Sequence, residues 1–268
     1  MSFSIAGKTA IVTGAANGVG LAIGRQFVEA GANVMFADMD EAALEREVGP
    51  EAKEENAPIR IFSGDLRKKL NVANLISATV DAFERIDILV NATRQVALTD
   101  PLDADDNTVM DLLEQNMLTS LRLSQAIARR MIKQGEGQDE GSLGTIINLS
   151  SIAARRTHPE LLAYSVSAAA LDQMTRSLAV ALAPKRIRVN GVAFGSVMSA
   201  SLKAKLKDND EFRKDIIAHT PLQRIANANE VCDAVQYLAS DAASFVTGQI
   251  MTVDGGRTLL DPVGCAAH

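Results

Sequence analysis

The most restrictive stretch of this chain is N-terminal, where a short apolar run meets a glycine-rich turn and then a helix. Thr9–Thr13 reads TAIVT, an uncharged run that ends on a glycine, as a strand buried on both faces of a parallel sheet does. From Gly18 to Ala30 apolar residues recur at helical spacing (Val19, Ala22, Ile23, Phe27), and the pattern stops at Gly31, a residue suited to a helix C-terminus. The alternation continues along the chain. Strands are expected over Asn33–Ala37, Ile59–Ser63, Asp87–Asn91, Thr145–Leu149, Arg188–Ala193 and Gln249–Val253. Helices are expected over Glu41–Val48, Val72–Phe83, 105–116, 119–133, Leu161–Ala183 and Glu230–Ser240.

Two stretches break the rhythm without ending it. Gly135–Gly144 is rich in Gly, Glu, Asp and Gln and reads as an exposed loop, and Ser199–Ile217 is polar and charged. Neither resembles a linker, and no internal repeat is present. The expectation is one α/β domain over residues 1–268: a doubly wound (Rossmann) seven-stranded parallel sheet with helices on both faces. Such sheets bind ligands outside the carboxyl ends of their strands, at the topological switch point. That rule directs attention to Gly14, Asp38, Asp65, Asn91, Ser150 and Gly195.

Composition narrows the partners. A net charge of −6 argues against a polyanion, which needs clustered Lys and Arg, and the absence of Trp with only two Tyr offers no platform for stacked bases. No nucleic-acid partner is expected. Cys232 and Cys265 form no CxxC, and His219 and His268 belong to no spaced ligand set, so no metal is expected and the thiols should be reduced. The N-terminus lacks the layout of a signal peptide, and no apolar run approaches the roughly 18 residues that span a bilayer, so the expectation is a cytoplasmic protein without membrane contact.

Thr13-Gly14-Ala15-Ala16-Asn17-Gly18-Val19-Gly20 joins the first strand to the first helix. Glycines there let the backbone turn tightly and approach a pyrophosphate, which the helix N-terminus stabilises. Asp38 ends the second strand, 18 positions after Gly20. A carboxylate there can accept from both adenosine ribose hydroxyls and repel a 2′-phosphate, or it can merely cap the next helix. No Arg or Lys lies between Gly31 and Glu45 to receive such a phosphate, so NAD(H) is expected over NADP(H). Asp65 could take the adenine amino group.

With TGAANGVG (13–20), GDL (64–66), DILVN (87–91), Asn116, NLSS (148–151), Tyr164, RVNGVAFG (188–195) and GQIMTVDGG (248–256), the chain resembles the short-chain dehydrogenase/reductase family over nearly its full length. The resemblance implies that Gly14, Gly18 and Gly20 bind pyrophosphate, that Asp65 and Leu66 contact adenine, that Asn91 supports the ribose and that Val197 meets the carboxamide. Asn17, Val19, Ala92, Gly195 and Tyr164 complete the implied cofactor set. Tyr164 would be the general acid/base, Ser151, 13 residues earlier, would orient substrate, and Asn116 would hold a proton-relay water. His158 and Phe194 would lie toward the substrate. Relatives bury the helices matching 119–133 and 161–183 in dimer and tetramer contacts, so a homo-oligomer is implied, with the tail 259–268 placed to extend that contact.

The family motif continues Tyr-x-x-x-Lys, but here Tyr164 is followed four residues on by Ala168. An ammonium one helical turn away would bond the nicotinamide ribose and stabilise the tyrosinate. A phenol with an ordinary pKa near 10 and no cation beside it is ionised in about one molecule in a thousand at pH 7. The loss therefore predicts slow turnover, by about 10²–10³. Three further positions depart. Asn-Asn-Ala-Gly after strand four is Asn91-Ala92-Thr93-Arg94, Pro-Gly after strand six is Phe194-Gly195, and Ser199 stands for a threonine. Four departures around one pocket read as divergence more readily than as one engineered lysine-to-alanine change. Arg94 either points into the cleft, supplying positive charge near Tyr164, or turns out to solvent. Arg155 and Arg156 either attract an acidic substrate or are solvated.

Two functions follow from these residues. One is an oxidoreductase passing hydride between NAD(H) and the alcohol or ketone carbon of a small substrate. The other is a non-catalytic NAD-binding pseudoenzyme, a sensor or assembly partner. An S-adenosylmethionine methyltransferase shares the glycine turn but leaves the Ser151–Tyr164 interval and GQIMTVDGG unexplained.

Overall fold

The uncharged runs form the centre of a seven-stranded, all-parallel sheet in the order β3-β2-β1-β4-β5-β6-β7, seen in a computed structural model that describes residues 3–207, 209–261 and 263. The strands are β1 Thr9–Thr13, β2 Asn33–Asp38, β3 Ile59–Ser63, β4 Ile88–Asn91, β5 Gly144–Ser151, β6 Ile187–Phe194 and β7 Ile250–Val253. Alternate side chains on a strand point to opposite faces, and the core divides accordingly. Ala10, Val12, Val34, Phe36, Ile88 and Val90 pack with Ile23, Phe27 and Val235 on one face. Ile11, Met35, Leu89 and Ile146 pack with Leu75, Ile127 and Met131 on the other.

The helices are α1 Gly18–Glu29, α2 Glu41–Ala52, α3 Lys69–Phe83, α4 Thr108–Leu112, α5 Thr119–Gln134, α6 Leu162–Leu182, α7 Ala200–Lys207, α8 Asp210–Ala218 and α9 Ala228–Ala239. No helix among the described residues is long and apolar enough to cross a membrane. Cys232 is buried in α9, which pushes its thiol up to about 12. Cys265 and His268 lie outside the described residues, as does most of the tail expected to extend an oligomer contact.

The structure corrects two expectations and fills in one stretch for which none was made. The helices expected over 105–116 and 119–133 form one continuous helical run, joined by a π-helical segment at Leu113–Leu118. The Thr119 hydroxyl donates to the Glu114 carbonyl five residues back, and this wider turn carries Asn116 inward. The polar stretch after β6 folds into α7 and α8, the latter capped by Asn209, whose side chain accepts from the Phe212 N–H. Strands β5 and β6 also run longer than expected, because they pair along their whole length from Gly144–Ile187 to Ser151–Phe194.

One buried group is poorly matched. Asp172 of α6 is 4% exposed, and its Oδ1 has no hydrogen-bond partner among the described residues. Burial pushes its carboxyl above the usual range, outweighing the nearby Ser150 hydroxyl and the charges of Arg155 and Arg176. Ionised Asp172 thus costs stability above its raised pKa, and that cost vanishes as pH falls below the unfolded value of about 3.9. Asp172→Asn is expected to raise Tm at pH 7 and to give no advantage near pH 3, as thermal denaturation at both values would register.

Candidate active site

The carboxyl ends of β1 and β4 meet at the switch point, and a cleft of about 740 Å³ opens there. Gly14 and Gly18 hold φ of +62° and +57°, a region that disfavours side chains. A Cβ on Gly14 would lie 2.9 Å from the Thr93 backbone, and one on Gly20 would lie 2.2 Å from the Gly14 carbonyl oxygen. The turn can therefore close only with glycines at these places. The N-terminus of α1 faces the cleft with no side-chain cap and no acidic residue in its first turn. That donor set fits an anion such as a diphosphate.

Asp38 lines the same cleft. Its Oδ2 accepts from the Ala16 N–H and its Oδ1 from the Asp40 N–H, both at 3.1 Å. The cap of α2 is Asp40, accepting from the Ala43 N–H at 3.0 Å, so Asp38 is not spent on capping. Asp65 and Leu66 border the cleft beyond it, and Arg67 grips the Asp65 carboxylate with two bonds of 2.9 Å. That guanidinium holds the Asp65 carboxyl below the usual range.

At the other end the segment after β4 is pinned from both sides. The Thr13 hydroxyl accepts from the N–H groups of Ala92 (3.1 Å) and Thr93 (3.3 Å). Asn116 accepts from the Gln95 N–H at 2.8 Å and donates to its carbonyl at 2.9 Å, and donates also to the Ser167 hydroxyl at 3.1 Å. Ser167 in turn donates to the Tyr164 carbonyl at 3.0 Å. Between these anchors Arg94, itself exposed to solvent, reaches along the wall of the cleft. Its guanidinium lies 4.3 Å from the Phe194 ring centroid and donates to the Tyr164 hydroxyl at 3.1 Å.

Ser151 sits beside this contact, since it is the register partner of Phe194. Its hydroxyl accepts from the Ala153 N–H at 3.1 Å, which leaves its own proton to donate. Tyr164 is 7% exposed and Ala168, one turn on, 5%. Gly14, Asn17, Gly18, Val19, Gly20, Asp38, Asp65, Leu66, Ala92 and Phe194 thus come together on one cleft, with Tyr164 and Ser151 flanking its Arg94 end.

Other residues go elsewhere. The Asn91 amide donates to Asn148 (2.8 Å) and Ser124 (3.1 Å), so it ties β4 to β5 beneath the cleft. Gly195 joins β7 through its N–H, Val197 is buried in a bridge to Ala226, and His158 is exposed, its ring accepting from the Glu160 N–H. Arg155 donates to Thr252 at 3.0 Å and Arg156 to the Thr258 carbonyl, so both brace the end of β7. Ser199 lines the cleft and receives the Leu202 N–H. Among the described residues no three His, Cys, Asp or Glu side chains gather as a metal site would require. The sequence reading missed Thr13, Gln95 and Arg67, whose roles depend on partners distant along the chain or on a local pairing.

Residues 14–258 match the family model described as "Enoyl-(Acyl carrier protein) reductase". Galactitol 2-dehydrogenase (L-tagatose-forming) of Cereibacter sphaeroides is 34% identical, over 96% of this chain and 97% of that protein. The structure of a 7α-hydroxysteroid dehydrogenase complexed with NADH and 7-oxo glycochenodeoxycholic acid superposes with a TM-score of 0.85 at 30% identity, covering 95% of this chain and 96% of that one. A gluconate 5-dehydrogenase of Burkholderia cenocepacia, in complex with NADP and tartrate, has the same TM-score and identity over 97% and 98% of the two chains.

Gly20→Ala is expected to cost about 1–3 kcal/mol of stability, because the added methyl collides with a backbone carbonyl that cannot swing aside. Urea unfolding measures it.

Proposed function

The chain belongs to the short-chain dehydrogenase/reductase family and is an oxidoreductase; from that premise we propose that it passes hydride between NAD(H) and the alcohol or ketone carbon of a small molecule. The observation that carries the reading is one continuous cleft, with a glycine turn and Asp38 at one end and the Tyr164 and Ser151 hydroxyls flanking the other.

In this proposal the α1 N-terminus and the 14–20 turn hold the diphosphate, and Asp38 accepts from the adenosine ribose. The Asp38 carboxylate repels a 2′-phosphate, and Arg67, the cation nearest that end, is already committed to Asp65. Both features favour NAD(H) over NADP(H). When bound, the nicotinamide supplies or accepts the hydride.

The side chains supply the rest. Ser151 and Tyr164 each already accept one hydrogen bond, from Ala153 N–H and from Arg94, and each keeps its own proton to donate. Both can donate to a substrate oxygen, polarising a carbonyl for reduction, and Tyr164 completes the step by giving up its proton. In oxidation the same oxygen receives the proton. Asn116 acts by fixing Gln95 and the start of α6, and thereby the mutual position of Arg94 and Tyr164.

A homo-oligomer is part of the proposal. α6 presents Leu162, Val166 and Val180 to solvent, the last 78% exposed, a face that a second copy would cover. The apolar side of α5 (Leu123, Ile127, Met131) is instead spent on the core. Sedimentation should give a dimer or tetramer.

Two substitutions test the function. Asp38→Ala should weaken NADH binding about tenfold and reduce the preference against NADPH, as fluorescence titration would show. Tyr164→Phe should lower turnover on a panel of secondary alcohols and ketones by about 10²–10⁴, with NADH affinity falling far less. NADH binding with no turnover by the parent chain would favour the non-catalytic reading.

A further inference from the structure

Three of the positions at which this chain departs from its family meet in a single contact. Arg94 stands for a glycine, Phe194 for a proline and Ala168 for the lysine one turn after Tyr164. In the fold the Arg94 guanidinium lies against the Phe194 ring and donates to the Tyr164 hydroxyl, on a helix where Ala168 is buried and brings no charge.

We infer that Arg94 is the catalytic cation of the proton-transfer step, reaching Tyr164 from across the cleft in place of a lysine on α6. The inference rests on the oxidoreductase reading above.

The geometry favours a fixed role for the side chain. Thr13 holds the two residues before Arg94, and Asn116 holds the residue after it by both backbone groups. The ring beneath adds a cation–π contact. No other charged group in the described surroundings takes the position. Glu114 pairs with Arg122, His158 faces Glu160, Arg155 is bonded to Thr252, Asp111 is exposed and Asp172 lies two turns along α6.

In alcohol oxidation the substrate hydroxyl proton passes to the Tyr164 oxygen as the C–H hydride leaves for the oxidised nicotinamide, and the carbonyl forms. The guanidinium stabilises the negative oxygen before that transfer and releases no proton itself, because arginine stays protonated. It therefore replaces the charge of a lysine but cannot pass the proton onward, and Tyr164 must return its proton by another route. In ketone reduction Tyr164 starts neutral, so the cation matters less to the reactant state.

The chain has no Trp and two Tyr, Tyr164 and Tyr237, which makes a direct test available. With Tyr237→Phe as background, the phenolate absorbance of Tyr164 should emerge at higher pH when Arg94→Gln is added. The pH profile of oxidation should move in the same direction, and oxidation should slow about 10- to 100-fold, more than reduction does. Arg94→Lys should retain part of the rate, and Ala168→Lys should restore rate in the Arg94→Gln chain. An unmoved phenolate band, or an Arg94→Gln chain that oxidises as fast as the parent or faster, overturns the inference, the latter meaning that the guanidinium merely obstructs the cleft. A shifted band with no turnover in any variant sinks the oxidoreductase reading and the catalytic role together, leaving only the Arg94–Tyr164 pairing.

Discussion

The structure depends on a close approach of two backbones. Gly14, just beyond β1, lies so near Thr93, just beyond β4, that one methyl group would not fit between them. The hydroxyl of the preceding residue, Thr13, receives the N–H groups of Ala92 and Thr93. β1 is the strand from which the sheet is wound in both directions, so this junction sets where the two halves of the cleft meet. It fixes the glycine turn on one side and aims Arg94 on the other. A side chain at Gly14 would push the halves apart and misplace both ends of the site at once.

A second constraint runs from this junction into the helical layer. Gln95 is held by Asn116, Asn116 by Ser167, and Ser167 by the carbonyl of Tyr164. These groups are mostly buried and mutually satisfied, so the chain of bonds resists distortion. Its effect is to keep a loop residue and a helix residue, Arg94 and Tyr164, in register with each other. The π-helical segment at Leu113–Leu118 is the means, since a regular helix would present Asn116 on a different bearing. The Asn91–Asn148–Thr175 bonds brace the same region from below.

Much of this could be read from the residues alone, and the reasons differ by element. β1 and β3 have the expected ends because an uncharged run in β1, and an Ile59–Phe62 run broken only by Arg60 in β3, are each followed closely by a glycine. The ends of β5 and β6 are not legible in the residues, since Ser150 joins the ladder only by pairing with Ala193, and Ser151 and Phe194 only by pairing with each other. Nothing in Leu113–Leu118 signals a π turn, which arises from the Thr119 hydroxyl and from the pull of Gln95 on Asn116. From the residues alone Asp38 reads as either a ribose ligand or a helix cap, and the cap belongs to Asp40. The direction of Arg94 had no local signal either, because the ring that supports it lies a hundred residues away along the chain.

The proposed hydride transfer depends on the glycine turn holding a diphosphate and on Asp38 selecting the unphosphorylated ribose. Thermal denaturation with saturating dinucleotide tests this without any knowledge of substrate. At about a hundred times its Kd, NADH should add roughly 2.7 kcal/mol and raise Tm by several degrees, with NADPH at the same concentration giving clearly less. No shift with either dinucleotide at millimolar concentration, or a larger shift with NADPH, would contradict it.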